Sequence, residues 1–345
     1  MNRLETRSTR FGAPLATFAL AWLSTPWLIA LPPLSGKVAS QEPPPPAQFE
    51  RQAIEAAEAF DARRAFADLE RIVAFGPRPT GSQAMRDQQA WLVERFREAG
   101  LEVLEQRFEH RHEGFEEPVE VVNLIARFRP EANERLLFAA HYDTRPFPDR
   151  DPVRPQGRFV GANDGASGVA LLLELARHLD RTPPGLGVDL VLFDAEELVL
   201  VPRRDPLFVG STRFAELHRD SAGQRSWEYR HGILVDMVAD AKLELYFEKN
   251  SLKYAPDLAR DVWRSADRLR IREFMPRPRH EIRDDHLPLN EIARIPTIDI
   301  VDFDYPRVGA RESYWHTEAD VPENCSADSL GKVGRTLLHW LARQR

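Results

Sequence analysis

The stretch Val188-Asp189-Leu190-Val191-Leu192-Phe193-Asp194-Ala195-Glu196-Glu197 sets a short, mainly apolar run directly against three carboxylates. A run of this kind is the signature of a strand buried on both faces, the sort found in parallel sheets covered by helices. Leu136–Ala140, Ile233–Val235 and Thr297–Val301 have the same form. Ahead of them, Leu101–Phe108 alternates apolar and polar residues and Val119–Phe128 does so less strictly, as an early antiparallel pair would. Helical spacing appears at Val169–Leu179, Thr212–His218, Leu258–Leu269 and Ser329–Arg343. Strands that alternate with helices predict an α/β fold, a single domain built on one twisted mixed β-sheet with helices on both faces.

Ligands of such a sheet collect at the carboxyl ends of its strands. There the chain places His141-Tyr142-Asp143, Asp194-Ala195-Glu196-Glu197, Asp236, and Asp302 with Asp304. Gly161-Ala162-Asn163-Asp164-Gly165 opens the helix at Val169, and Tyr314-Trp315-His316-Thr317 stands in a late loop. Taken singly, each has an ordinary reading: Asp164 as a helix cap, Glu196-Glu197 as a solvated loop start, His316 as one more histidine. Taken together, acids gathered beyond four buried strands would repel one another unless a cation sat among them. A histidine among oxygen ligands favours zinc over magnesium or calcium.

Upstream, Ala53, Ala56, Ala57 and Phe60 begin a helical reading that runs from Phe49 through Leu69, Ile72 and Val73. Gly76-Pro77-Arg78-Pro79 ends it, and Ser82 opens a further helix toward Gly100. Arg3, Arg7 and Arg10 precede an apolar run from Phe11 to Leu31, and Val38 and Ser40 stand like the −3 and −1 positions of a signal-peptidase site. Residues 1–40 therefore read as a signal peptide or a membrane anchor, 41–48 as a stiff proline-rich spacer, and 49–345 as the catalytic domain. Either reading of the first segment puts the body of the protein outside the cytoplasm, periplasmic or extracellular. Lys and Arg are scattered through a chain of net charge −7, so no nucleic-acid footprint is present. With one cysteine, Cys325, neither an intramolecular disulfide nor a cysteine-built zinc site can form.

In order, His141-Tyr142-Asp143, Gly161-Ala162-Asn163-Asp164, Phe193-Asp194-Ala195-Glu196-Glu197, Asp284-Asp285-His286 and Trp315-His316-Thr317 resemble the zinc aminopeptidase and glutaminyl cyclase superfamily. The resemblance runs from about Phe49 to the C-terminus and implies that superfamily's three-layer sandwich. It is closer to the glutaminyl-peptide cyclotransferases, on Asp205–Ser211, Asp284–Pro288 and the tryptophan before His316. It implies one Zn2+ held by Asp164, Glu197 and His316, with Glu196 as proton shuttle and Asp236 and Asp284 as an acid network beside it. Trp315 would wall the pocket for a glutamine side chain at the N-terminus of a peptide or protein.

The aminopeptidase branch carries two zincs instead, and His141 and Asp236 would complete its second site. Gly165-Ala166-Ser167-Gly168 matches that branch. The loop from Asp302 to Tyr314 is long for a cyclase, and Leu198–Arg204 lacks the aromatic residue often found there in cyclases. A non-catalytic peptide-binding module is a third reading, and it predicts a broken ligand set.

Overall fold

The computed structural model describes residues 46–201, 204–306 and 312–344. The expected export segment 1–40 and most of the proline spacer lie outside them. In chain order the elements are α1 (Pro46–Glu58), α2 (Ala62–Val73), α3 (Gln83–Glu98), β1 (Glu102–His110), β2 (Val119–Phe128), β3 (Glu134–His141), α4 (Ala166–Ala176), β4 (Leu186–Phe193) and α5 (Val209–Asp220). There follow β5 (Glu228–Asp236), β6 (Leu245–Phe247), α6 (Lys249–Tyr254), α7 (Pro256–Arg268), β7 (Phe274–Pro278), α8 (His286–Glu291), β8 (Thr297–Val301) and α9 (Ala327–Ala342).

Six strands form one mixed sheet in the order β1-β2-β4-β3-β5-β8. The β1–β2 and β2–β4 pairs are antiparallel, and β4–β3, β3–β5 and β5–β8 are parallel. Side chains alternate across the pleat, so Leu136, Phe138 and Ala140 of β3 join one core while Leu137 and Ala139 join another. The first core also takes Leu69, Leu92, Leu172, Val262 and Leu337 from α2, α3, α4, α7 and α9. The second takes Phe214 of α5 and Leu289 of α8. The result is the expected sandwich of helices, sheet and helices. The apolar run of β4 contains one charge, and that charge is matched. Asp189 is buried against the equally buried Arg135, with the Tyr229 hydroxyl donating to it.

Two expectations need correction, and one strand pair had no expectation. The helix read from Phe49 to Val73 is two helices, because the Asp61 side chain accepts from the N–H groups of Arg63 and Arg64, both at 3.0 Å, and so starts α2 afresh. The first of them begins at Pro46, inside the expected spacer, since proline is at home in the first helical turn. The parallel pair β6–β7 was not legible, being only three residues long on one side.

The small run Gly165–Gly168 has a packing cause. A Cβ on Gly168 would lie 2.5 Å from Val235 O and 2.8 Å from the Ala140 Cβ, so only glycine lets α4 press onto β3 and β5. Gly165 turns into that helix at φ +95, and a Cβ there would meet Asp143 O at 2.8 Å. Among the described residues no helix is long and apolar enough to cross a membrane.

Candidate metal centre and cleft

The sheet delivers its acids as its topology requires. His141 is the last residue of β3, Asp236 the last of β5, and Asp194 to Glu197 follow β4 directly. Glu196 and Glu197 are aimed by Asp143, whose carboxylate accepts their main-chain N–H groups at 3.2 and 3.0 Å. The bend between Asp194 and Glu196 puts Ala195 at φ +57, and His316 and Met237 sit at +57 and +50. Non-glycine residues at such angles cost on the order of 1–3 kcal/mol each and are tolerated where surrounding structure fixes them.

Two ligand sets share one residue. Asp164, Glu197 and His316 present one ligand atom each, all within 4.8 Å of one another, and so do His141, Asp164 and Asp236. His316 Nε2 lies 2.9 Å from Glu197 Oε1 and 3.5 Å from Asp164 Oδ2. His141 Nε2 lies 3.2 Å from Asp164 Oδ1 and 3.2 Å from Asp236 Oδ1. Asp164 Oδ2 is buried and has no hydrogen bond among the described residues, so it keeps a lone pair for a cation. Two carboxylates and an imidazole at this spacing suit zinc and leave a fourth position for a ligand.

Charge balance in the cluster follows from burial and neighbours. Burial works against ionisation of Glu197, yet the charge and hydrogen bond of His316, with Arg145, hold its carboxyl down at about 2. Asp164 goes the other way, to about 6, through burial and the charge of Glu197. Both histidines are raised against the opposing effect of burial, His141 by Asp143, Asp164 and Asp236, and His316 by Glu197 and Asp149. Burial raises Glu196 well above the ordinary carboxyl range; His141 opposes this, while Asp284, Glu197 and Asp285 add to it. Burial also raises Asp284, with Asp236 and Asp285 reinforcing it.

These groups open into a cleft of about 510 Å³. Asp164, Glu196, Glu197, Asp236, Asp284 and His316 line it, and Val199, Leu207, Phe208, Phe303 and Trp315 give it apolar walls. Trp315 meets Phe303 edge-on at 4.8 Å between centroids and lies tilted against the His316 ring at 4.1 Å. His141, Asp164, Glu196, Glu197, Asp236, Asp284, Trp315 and His316 therefore stand in one cluster or on the cleft beside it. Asp302 and Asp304 do not. Asp302 accepts from the N–H of Glu244 and of Asp304, and Asp304 is taken by Arg279 and His280.

Four residues that sequence reasoning missed hold the site in shape. The buried Asp320 carboxylate accepts the N–H groups of Asn163 and Asp164 at 2.7 and 3.1 Å and the Tyr305 hydroxyl at 3.1 Å. Asp149 lies 3.4 Å from His316 Nδ1, and Arg145 donates its main-chain N–H to Glu197 at 2.8 Å. Arg78, fully buried, donates to the carbonyls of Gly76, Val160 and Gly161. Its motif read only as a helix stop. Asp320, four residues after His316, carried the one usable signal, as a further acid beside a candidate ligand.

Known proteins resemble the chain along most of its folded length. Residues 123–341 match the model of peptidase family M28. The glutaminyl-peptide cyclotransferase of Gloydius blomhoffii is 28% identical over 244 residues, which are 62% of this chain and 63% of that protein. Among solved structures, the glutaminyl cyclase of Fimbriiglobus ruber is 34% identical with a TM-score of 0.78, covering 83% of this chain and 96% of that one. A leucine aminopeptidase precursor from Bacteroides thetaiotaomicron is 30% identical with a TM-score of 0.75, over 83% and 98% of the two chains.

Proposed function

This chain belongs to peptidase family M28, and from that membership we propose that it is a glutaminyl-peptide cyclotransferase, closing an N-terminal glutamine into pyroglutamate with release of ammonia. What carries the reading is the likeness to a solved glutaminyl cyclase across most of the chain, together with an unbroken ligand set and shuttle acid in one apolar-walled cleft. The intact set also speaks against a non-catalytic binding module.

In this reading Asp164, Glu197 and His316 would hold one zinc, whose contribution when bound would be polarisation of the side-chain amide carbonyl of the substrate glutamine. The cleft brings the free α-amine onto that carbon, so a reaction within one molecule gains its rate from proximity. A bond forms between the amine nitrogen and the side-chain carbonyl carbon, and the bond to the amide nitrogen breaks. Glu196 takes the proton that the amine gives up and passes it to the departing nitrogen, which leaves as ammonia. A carboxyl raised by burial and by Asp284 suits both halves of that transfer. Asp236 and Asp284 hold the network beside it, and Trp315 with Phe303 excludes water from the glutamine side chain. His141, bonded to Asp236, supplies positive charge between Asp164 and Asp236.

A second reading has its own observation. The set His141, Asp164 and Asp236 is complete, and a relative is named a leucine aminopeptidase precursor. With two metals held, Glu196 would serve hydrolysis of the first peptide bond instead. We further propose that residues 1–40 export the protein or anchor it, which leaves 49–345 to act on peptide and protein N-termini outside the cytoplasm. Incubation with a glutamine-initiated peptide and with leucyl-amide decides between the activities. Pyroglutamate and ammonia from the first support the cyclase, whereas free leucine from the second, with the glutamine peptide cut or untouched, overturns it.

A further inference from the structure

The floor of the cleft is acidic, but two exposed guanidinium groups that line it hold no anion among the described residues. Arg150 and Arg283 both line it. The Arg150 Cζ sits 3.9 Å from the centroid of the Trp315 ring, and its main-chain N–H donates to His316 O at 3.2 Å. The exposed Arg150 is thereby seated on the tryptophan that walls the pocket. Arg283 is exposed and immediately precedes Asp284. Among the described residues neither guanidinium has a hydrogen-bond or ion-pair partner. The neighbouring arginines differ: Arg145 is taken by Asp149 and Glu197, and Arg279 by Asp304.

A guanidinium is weakly hydrated, and its planar fork of N–H groups matches a carboxylate. One stacked on an aromatic ring is also pre-positioned, so it loses little freedom on binding. A peptide whose N-terminal residue sits among Asp164, Glu196, Glu197, Asp236 and Asp284 must leave the cleft by its exposed side, where these two arginines stand. The opposing charges there are Asp149, already held at 2.8 Å by Arg145 and 3.4 Å from His316, and the exposed Glu281. Against Glu281 alone, the two arginines leave the rim one charge positive.

We propose that Arg150 and Arg283 form a subsite for acidic side chains directly after the substrate's first residue, which makes peptides with Asp or Glu in the second and third positions the favoured class. The proposal rests on the reading that a peptide N-terminus occupies this cleft. Exposed charge pairs are individually weak, and Glu281 opposes, so the expected preference is about three- to tenfold.

The test compares Gln-Asp-Asp-amide with Gln-Asn-Asn-amide, uncharged at the two positions and otherwise of nearly the same shape. The amide removes the terminal carboxylate, which would itself occupy the subsite. The wild-type zinc enzyme is expected to favour the acidic peptide in kcat/KM, through KM, and the preference should shrink with added salt. In R150A/R283A the ratio of acidic to neutral peptide should fall to about one or below. Calorimetric binding of the two corresponding pyroglutamyl peptides gives the same ratio without turnover. A binding ratio that is the same in wild type and the double variant, or a wild-type preference for the neutral peptide, overturns the subsite. Ammonia absent from both peptides would retire the cyclase reading, while the binding ratio still decides this one.

Discussion

Replacing Glu196 by Gln preserves the shape of the side chain and removes its capacity to carry a proton. The substitution should leave the metal set intact, because Glu196 belongs to neither ligand group and its placement comes from its main chain, through the Asp143 carboxylate at 3.2 Å and the turn at Ala195. A positioned general acid–base contributes about a hundredfold to ten-thousandfold. That corresponds to about 3–5 kcal/mol of barrier. The account places Glu196 at both proton transfers, so a loss of at least about a hundredfold in kcat/KM is expected, with zinc content unchanged. The pH profile carries an independent sign. Glu196 accepts the proton as a carboxylate, so activity falls as pH drops through its pKa; burial, with Asp284, raises that pKa, which puts the acid limb above the ordinary carboxyl range. Glu196→Gln should lower the plateau and leave only the acid-side decline set by the substrate α-amine, which must itself be unprotonated to attack. The assay is ammonia release from a glutamine-initiated peptide amide across weakly acid to weakly alkaline buffers, with metal counted on the same sample. A variant that keeps zinc and works within about tenfold of wild type removes Glu196 from the mechanism.

Three further substitutions probe the frame. Glu174, buried on α4, accepts from Asp61 N–H, Arg64, Arg177 and His178, which overcome burial and hold its carboxyl at about 2 against an ordinary 4.5. That depression stabilises the fold by about 3 kcal/mol, fully present above the ordinary value and lost as pH falls through it toward the lower one. Glu174→Gln should therefore lower Tm by roughly 5 °C at neutral pH and weaken the acid-side decline, and an unchanged thermal profile would contradict this. His316→Ala should yield protein almost free of zinc after dialysis, whereas full occupancy measured by elemental analysis would show the ligand set is wrong. Gly168→Ala drives a methyl group against Val235 O and Ala140, so denaturant unfolding should show a loss of about 1–3 kcal/mol; equal stability would mean that α4 is not seated as described.

Much of the site was legible because the sheet turns sequence into position. Buried strands read as apolar runs, and a residue directly beyond such a run stands at the carboxyl edge, which is where His141, Asp236, Glu196 and Glu197 lie. The same rule misplaced Asp302 and Asp304, since beyond β8 it is Phe303 that faces the cleft, while the two carboxylates serve loop N–H groups, Arg279 and His280. Asp320 and Arg78 were hidden for another reason. Their work is to satisfy loop N–H groups and carbonyls, and that demand depends on backbone geometry rather than on any side-chain pattern. Gly165 to Gly168 read as a mark of one branch, whereas the close approach of α4 to β3 and β5 requires those small residues whichever reaction the cleft performs. The β6–β7 pair shows the limit of periodicity, because three residues cannot display a period.

The one-zinc account is tested most directly by anomalous diffraction at the zinc edge from crystals of the purified, active protein. One peak, bounded by Asp164, Glu197 and His316, with His141 Nε2 still beside Asp236, is the expected result. A second peak of equal height between His141, Asp164 and Asp236 would contradict it and make the protein a two-metal peptidase.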